Sequence, residues 1–497
     1  MGVQGLIRQE AGWTPEVFRR CPKGEAHNAP SQSIPCRGIG GGAPTCNPPK
    51  EATVTHHLDW SHAFAHRLEG VAFDSSPRRP ALITALGKLE TERAAGRLPF
   101  LDLPFADDLV RELPPLLEKL KRYKHMLLLG IGGSALGARA LQKAFFPAQD
   151  LPGHDGPWLW IADNVDAFTL EAWLNRLPLA ETCVVVISKS GGTIETMAQY
   201  FLVRERLQKA LGPNWKDGLV LITDTAKGAL REEADRLGAA SLPVPDHLGG
   251  RYSVFSAVGL VPAGFLGMDW KALLAGARHA GKAASRPDSA AARLALWNVE
   301  LMAAGYSQLI FFSYIPLWNY LGAWFSQLWA ESLGKEGKGS QPVPAVGVTD
   351  QHSINQMFLD GPRDKGCIFL TAPNLPKGPA FGSELPAKWG YLSGKRFGAL
   401  LDAEALGTRM ALIRHQTPLV HAVFDAVDEE AAGLFMGMCM AATYLTGLML
   451  GINPLDQPAV ELGKRLADTA LGFAGHTEEQ AALAAFTAKA PGTIGEL

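Results

Sequence analysis

Short apolar runs, two of them leading into glycine- and hydroxyl-rich turns, alternate with stretches of helical period between residues 126 and 223. They constrain the fold more than any other feature of this chain. Met126-Leu-Leu-Leu-Gly130, Trp158-Leu-Trp-Ile161, Cys183-Val-Val-Val-Ile187 and Gly218-Leu-Val-Leu-Ile-Thr223 have the length and character of buried strands. Helical stretches such as Ala135 to Phe146 separate them, and that alternation predicts βαβ units and a parallel sheet. A second set, Ser307-Gln-Leu-Ile-Phe-Phe-Ser313, Val343-Pro-Ala-Val-Gly347 and Gly366-Cys-Ile-Phe-Leu370, follows a long helical region. The predicted fold class is α/β: two three-layer α-β-α sandwiches with parallel sheets, over about 120–285 and 290–455, with helices at both ends.

The flanking segments differ in character. Residues 1–52 have loop composition, with Gly38-Ile-Gly-Gly-Gly-Ala-Pro-Thr45 and no sustained period, and are expected to form a disordered arm. Residues 53–119 are expected to be helical, because Leu82, Leu86 and Leu89 share one helix face. Residues 456–497 are expected to form a helical tail. With 497 residues, 47% hydrophobic and 19% charged, the chain is long enough for two domains with a large core and has the composition of a globular protein. A net charge of -2 offers no electrostatic case for nucleic acid or a membrane surface. The charge-free stretch Leu434 to Ile452 is expected to be a buried core helix rather than a membrane span. Six cysteines without metal-ligand spacing fit reduced thiols in the cytoplasm.

Two motifs lie where α/β sheets bind ligands, beyond the carboxyl ends of strands. Gly130-Ile-Gly-Gly-Ser134 brings Gly133 and Ser134 to a helix start, where free N–H groups can meet an anion. It meets only a relaxed dinucleotide pattern and is not a Walker loop. Ser188-Lys-Ser-Gly-Gly-Thr193 with Thr196 is more specific. Ser188, Ser190, Thr193 and Thr196 with Lys189 give four hydroxyls and a cation, matching the charge and acceptor oxygens of a phosphate monoester. An ordinary helix cap would need one hydroxyl.

These motifs resemble the sugar isomerase (SIS) domain. Gly249-Gly-Arg-Tyr-Ser253, Glu331-Ser-Leu-Gly-Lys335, Gln351-His352 and Asp456-Gln-Pro-Ala-Val-Glu-Leu-Gly-Lys464 narrow the resemblance to the glucose-6-phosphate isomerase family, over roughly residues 55–490. The resemblance implies an aldose–ketose isomerase acting between glucose 6-phosphate and fructose 6-phosphate through a cis-enediol. It implies Glu331 as the base, Arg251 as the cation facing the enediolate, and His352 with Lys464 as the ring-opening pair. Gln327 and Gln457 would hold sugar or phosphate oxygens. It further implies a homodimer in which His352 comes from the neighbouring subunit, and no cofactor or metal.

Some positions depart from the family pattern. The phosphate loop Lys189-Ser-Gly-Gly-Thr193 has one hydroxyl fewer than the common form, Asn is absent from Glu331-Ser-Leu-Gly334, and Gly347-Val-Thr-Asp350 precedes the Gln-His pair. Every charged role stays occupied, but strictness against mannose 6-phosphate is left open. A regulator built on SIS domains would need the cradle without Glu331, His352 and Lys464, and would usually carry a DNA-binding or other partner domain. A hexosamine synthase would need an N-terminal cysteine where Gly2 stands.

Overall fold

The computed structural model describes residues 56–488, so the arm expected over residues 1–52 lies outside the described residues. Ten strands follow in chain order: β1 (His57–His62), β2 (His125–Leu129), β3 (Trp158–Ala162), β4 (Thr182–Ser188), β5 (Leu219–Asp224), β6 (Ala240–Val244), β7 (Gln308–Ser313), β8 (Gln341–Val346), β9 (Lys365–Thr371) and β10 (Leu419–Val423). They form two five-stranded sheets, ordered β3-β2-β4-β5-β6 and β1-β10-β9-β7-β8. The first is parallel throughout. The second is parallel except for β1, which runs antiparallel to β10. β4 is buried at every residue, which a strand central to a parallel sheet and covered on both faces requires.

The structure corrects the helical expectation for residues 53–119 at its start, where β1 forms an edge strand. In His57-Leu-Asp-Trp-Ser-His62 only Leu58 and Trp60 are apolar, an alternation too brief to stand out in the sequence. Leu58 and Trp60 nevertheless pack against the core, while His57 and Ser61 face outward. The helix Arg79–Ala94 then buries Leu82, Leu86 and Leu89. β6 and β10 are also absent from the apolar runs of the sequence. β6 and β8 carry prolines (Pro243, and Pro342 with Pro344) and both lie at sheet edges, where a missing N–H can face away from the ladder.

One hydrophobic core joins residues of both sheets, from Met126 and Val185 in the first to Phe311 and Val420 in the second. Its centre is the helix Glu429–Met449, which holds most of the apolar stretch 434–452 and is long and apolar enough to cross a membrane, yet is mostly buried within the protein. The helix Trp270–Ala283 crosses it at very close range. A Cβ on Gly276 would lie 1.8 Å from Glu430 O, and one on Gly433 1.9 Å from Leu273 O, so only glycine fits at this crossing. The helix Ala290–Ala303, which opens the second half of the chain, packs on the same central helix.

Candidate active site

The helix Asn319–Leu333 positions the site. Leu321, Trp324, Phe325, Leu328, Trp329 and Ser332 lie on its buried side. Gln327 and Glu331, four residues apart, share another face, and Gln327 Nε2 donates to Glu331 Oε1 (2.9 Å). The helix packs against Leu136–Phe145, the helix that follows the glycine turn of β2. A Cβ on Gly132 would stand 3.0 Å from Gln327 Nε2. The glycine turn of the first sandwich therefore rests on the helix that carries Glu331.

Arg251, 2% exposed, is the hub of the site. Its guanidinium has five N–H donors, and each has a partner. Nε donates to Ser332 Oγ (2.7 Å), Nη1 to Glu331 Oε2 (3.2 Å) and to Gln457 Oε1, and Nη2 to the carbonyls of Pro454 (2.7 Å) and Asp456 (3.0 Å). A buried charge keeps its cost tolerable only when so fully bonded. The short turn Gly250–Tyr252 aims this side chain, and it abuts Gly133, where an added Cβ would lie 2.1 Å from Gly250 C. Much of the room left by Gly133 is thus used by the Arg251 turn. Ser134 closes the turn Gly132–Ser134 that contains Gly133.

Four side chains without a role in the sequence analysis, Ser332, Tyr252, Lys335 and Asp456, complete this network. Ser332 takes the Arg251 bond and lies 3.1 Å from the buried Tyr252 hydroxyl, whose pKa burial raises. Lys335 pairs with Asp456 (3.0 Å) and donates to Ser332 O (3.1 Å); burial lowers its pKa even though Asp456 opposes that. Ser332 had one legible signal, a hydroxyl in an otherwise apolar row of the helix. Nothing local in the sequence marks the 453–456 turn as an anchor.

The loop after β4 is ordered by its own hydroxyls. Ser188 Oγ and Thr193 Oγ1 are 3.0 Å apart, and Gly192 N donates to Ser190 Oγ (3.2 Å). Thr193 stands at the N-cap of the helix Ile194–Leu211 but makes no side-chain capping bond, so capping does not account for it. Thr196 Oγ1 is buried without a partner among the described residues. Lys189 Nζ donates to Leu248 O (3.0 Å), and burial lowers its pKa.

Arg251, Glu331, Gln327, Gln457 and the glycine turn are thus brought together. His352 and Lys464 stand apart from this network. His352 closes the turn Thr349–His352 with an exposed side chain. Lys464, on the helix Glu461–Ala470, is paired with Glu461 (2.7 Å).

Residues 118–361 match the family model described as phosphoglucose isomerase. A glucose-6-phosphate isomerase of Rubrobacter xylanophilus is 39% identical over 359 residues, which span 70% of this chain and 82% of the relative. The chain belongs to the glucose-6-phosphate isomerase family. It shares its fold with two solved structures. A hypothetical protein from Thermus thermophilus is 33% identical with a TM-score of 0.77, covering 84% of this chain and 100% of that one. A glucose-6-phosphate isomerase from Chlamydia trachomatis has a TM-score of 0.65 at 24% identity, covering 77% of this chain and 76% of that one. The family assignment makes this chain an isomerase, and Arg251, Gln327, Glu331 and Ser332 lie within residues 118–361, while Pro454, Asp456 and Gln457 lie beyond them.

Proposed function

We propose that this isomerase interconverts glucose 6-phosphate and fructose 6-phosphate through a cis-enediolate, in glycolysis and gluconeogenesis. The observation that carries the reading is the double hydrogen bond to Glu331. Gln327 donates to one oxygen and Arg251 to the other, so the carboxylate is held in one orientation beside the cation, as a base that must reach two adjacent carbons requires. Glu331 takes the proton from C2 of the open aldose. The C–H electron pair becomes the C1–C2 double bond, and the carbonyl electrons move onto O1, leaving negative charge for the Arg251 guanidinium to face. Returning the proton to C1, with the O2 proton passing to O1 as the C2 carbonyl forms, gives the ketose.

The Ser188–Thr193 loop and the Gly133–Ser134 turn hold the phosphate, joined by Lys189, Ser190 and Thr196, while Gln457 holds a sugar oxygen. His352 and Lys464 open the ring, His352 from the second subunit of a homodimer in the cytoplasm. Support for the dimer comes from the surface around His352. Ile354, Met357, Phe397, Leu406 and Met410, on the adjoining elements, are all exposed.

Glu331→Gln, assayed with fructose 6-phosphate in a coupled reaction, should lose roughly 10²–10⁴-fold in turnover while still binding a phosphorylated sugar acid. Turnover near that of the unaltered chain would remove Glu331 as the base. Mannose 6-phosphate run alongside reads the strictness of the Gly191–Gly192 loop.

A further inference from the structure

His352 presents a physical problem: its side chain is exposed, yet acid–base work requires a fixed position. Its neighbours on both sides are tied down. On one side of Asp350, Oδ2 accepts from Val346 N (2.7 Å), at the end of β8; on the other, Oδ1 accepts from Ser353 Oγ (2.7 Å). Gln351 is held at both ends of its amide. Its Oε1 takes the hydroxyl bond of Tyr314, and its Nε2 donates to Glu404 Oε2 (2.8 Å). The Gln351 carbonyl oxygen can only accept, so the single Tyr314 proton goes there. The Thr408 hydroxyl, 2.9 Å from Tyr314 Oη, then supplies its own proton to the tyrosine oxygen. The amide therefore has one orientation, fixed by a buried tyrosine and by a carboxylate on the helix Phe397–Arg414.

We infer that Glu404 and Tyr314 are positioning residues for His352, acting through Gln351. The inference rests on the reading of His352 as a ring-opening group. The site restrains the turn that carries the imidazole and leaves the ring itself free to face a sugar. Glu404 has no other bond in this network, and Tyr314 packs on Phe369 (ring centroids 4.9 Å), so the clamp is continuous with the second sheet.

The test uses the full chain and fructose 6-phosphate. Glu404→Leu should lower turnover roughly tenfold to a hundredfold, with KM changed less than about twofold. Glu404→Gln should stay close to the unaltered chain, because its carbonyl oxygen can accept the same bond. In a His352→Ala background, Glu404→Leu should have no additional effect. Tyr314→Phe removes the opposite anchor and should give the same pattern, which keeps the test open if Glu404→Leu folds poorly. The inference is overturned if Glu404→Leu keeps full turnover, or if it costs the same factor with His352 absent. Full turnover in His352→Ala alone would overturn the ring-opening reading instead.

Discussion

Arg251 and His352 hold the proposed chemistry at opposite ends, and the protein treats them in opposite ways. The arginine is buried with all five donors satisfied, and its partners span residues 331 to 457. The histidine is exposed, with order imposed only on the turn beneath it. A buried cation must be bonded completely or it destabilises the fold, so the oxyanion side of the site is built into the folding of one chain. The ring-opening side carries no such demand. It can be left at the surface and completed by a second copy.

That contrast can be broken most sharply at Arg251. Arg251→Lys keeps the charge but cannot reproduce five fixed donors. It should lower kcat/KM roughly 10²–10³-fold and also lower the thermal midpoint, since Pro454 O and Asp456 O lose their donor. A loss of activity with unchanged stability would mean that the network is not part of the folded frame. A mixing experiment probes the other side. Glu331→Gln and His352→Ala chains, each inactive alone, are unfolded and refolded together. If His352 serves the partner's site, each mixed dimer has one intact site, and activity should return to about one quarter of the unaltered value for random pairing. No recovery would place His352 in the same chain's site. The smallest effect concerns the frame itself. Burial, with Arg409 beside it, pushes the pKa of His421 down to about 4, and Thr371 Oγ1 lies 2.8 Å from its Nε2. An unfolded histidine accepts a proton near 6.5, so the stabilisation is fully present above that pH. It is lost as pH falls from about 6.5 toward 4, because the unfolded chain then binds the extra proton. The thermal midpoint should decline over that window, and His421→Gln should flatten part of the decline.

The sequence made the first sandwich readable because its strands are uniformly apolar and its loops are rich in glycine and hydroxyls. Ser188, Thr193 and the Gly130–Ser134 turn stood out on composition alone. β1, β6 and β10 did not: the edge strands β1 and β6 carry histidine, aspartate and proline, and His421 interrupts the short interior strand β10, whose pairing is set by distant segments. The same holds in the site. Gln327 and Glu331 share a helix face at a spacing visible in sequence. The meeting of Arg251 with Ser332 and residues 454–457 depends on contacts over separations of 81 to 206 residues, which no local pattern records. Glu331 and Arg251 were reached by resemblance; composition and period alone would have left them as surface charges.

The glycine crossing of Trp270–Ala283 with Glu429–Met449 limits how this protein can move. Two backbones in direct contact cannot slide past one another, and the sheets on either side share one packed interior. Closing two lobes over a substrate, a common way to shut out water, is therefore not available to this frame. Shielding must come from pieces attached at the rim. The paired helices Glu461–Ala470 and Thr477–Ala488, which pack chiefly on each other and carry Lys464, are one such piece, and in the proposed dimer the face of the second copy would be the other.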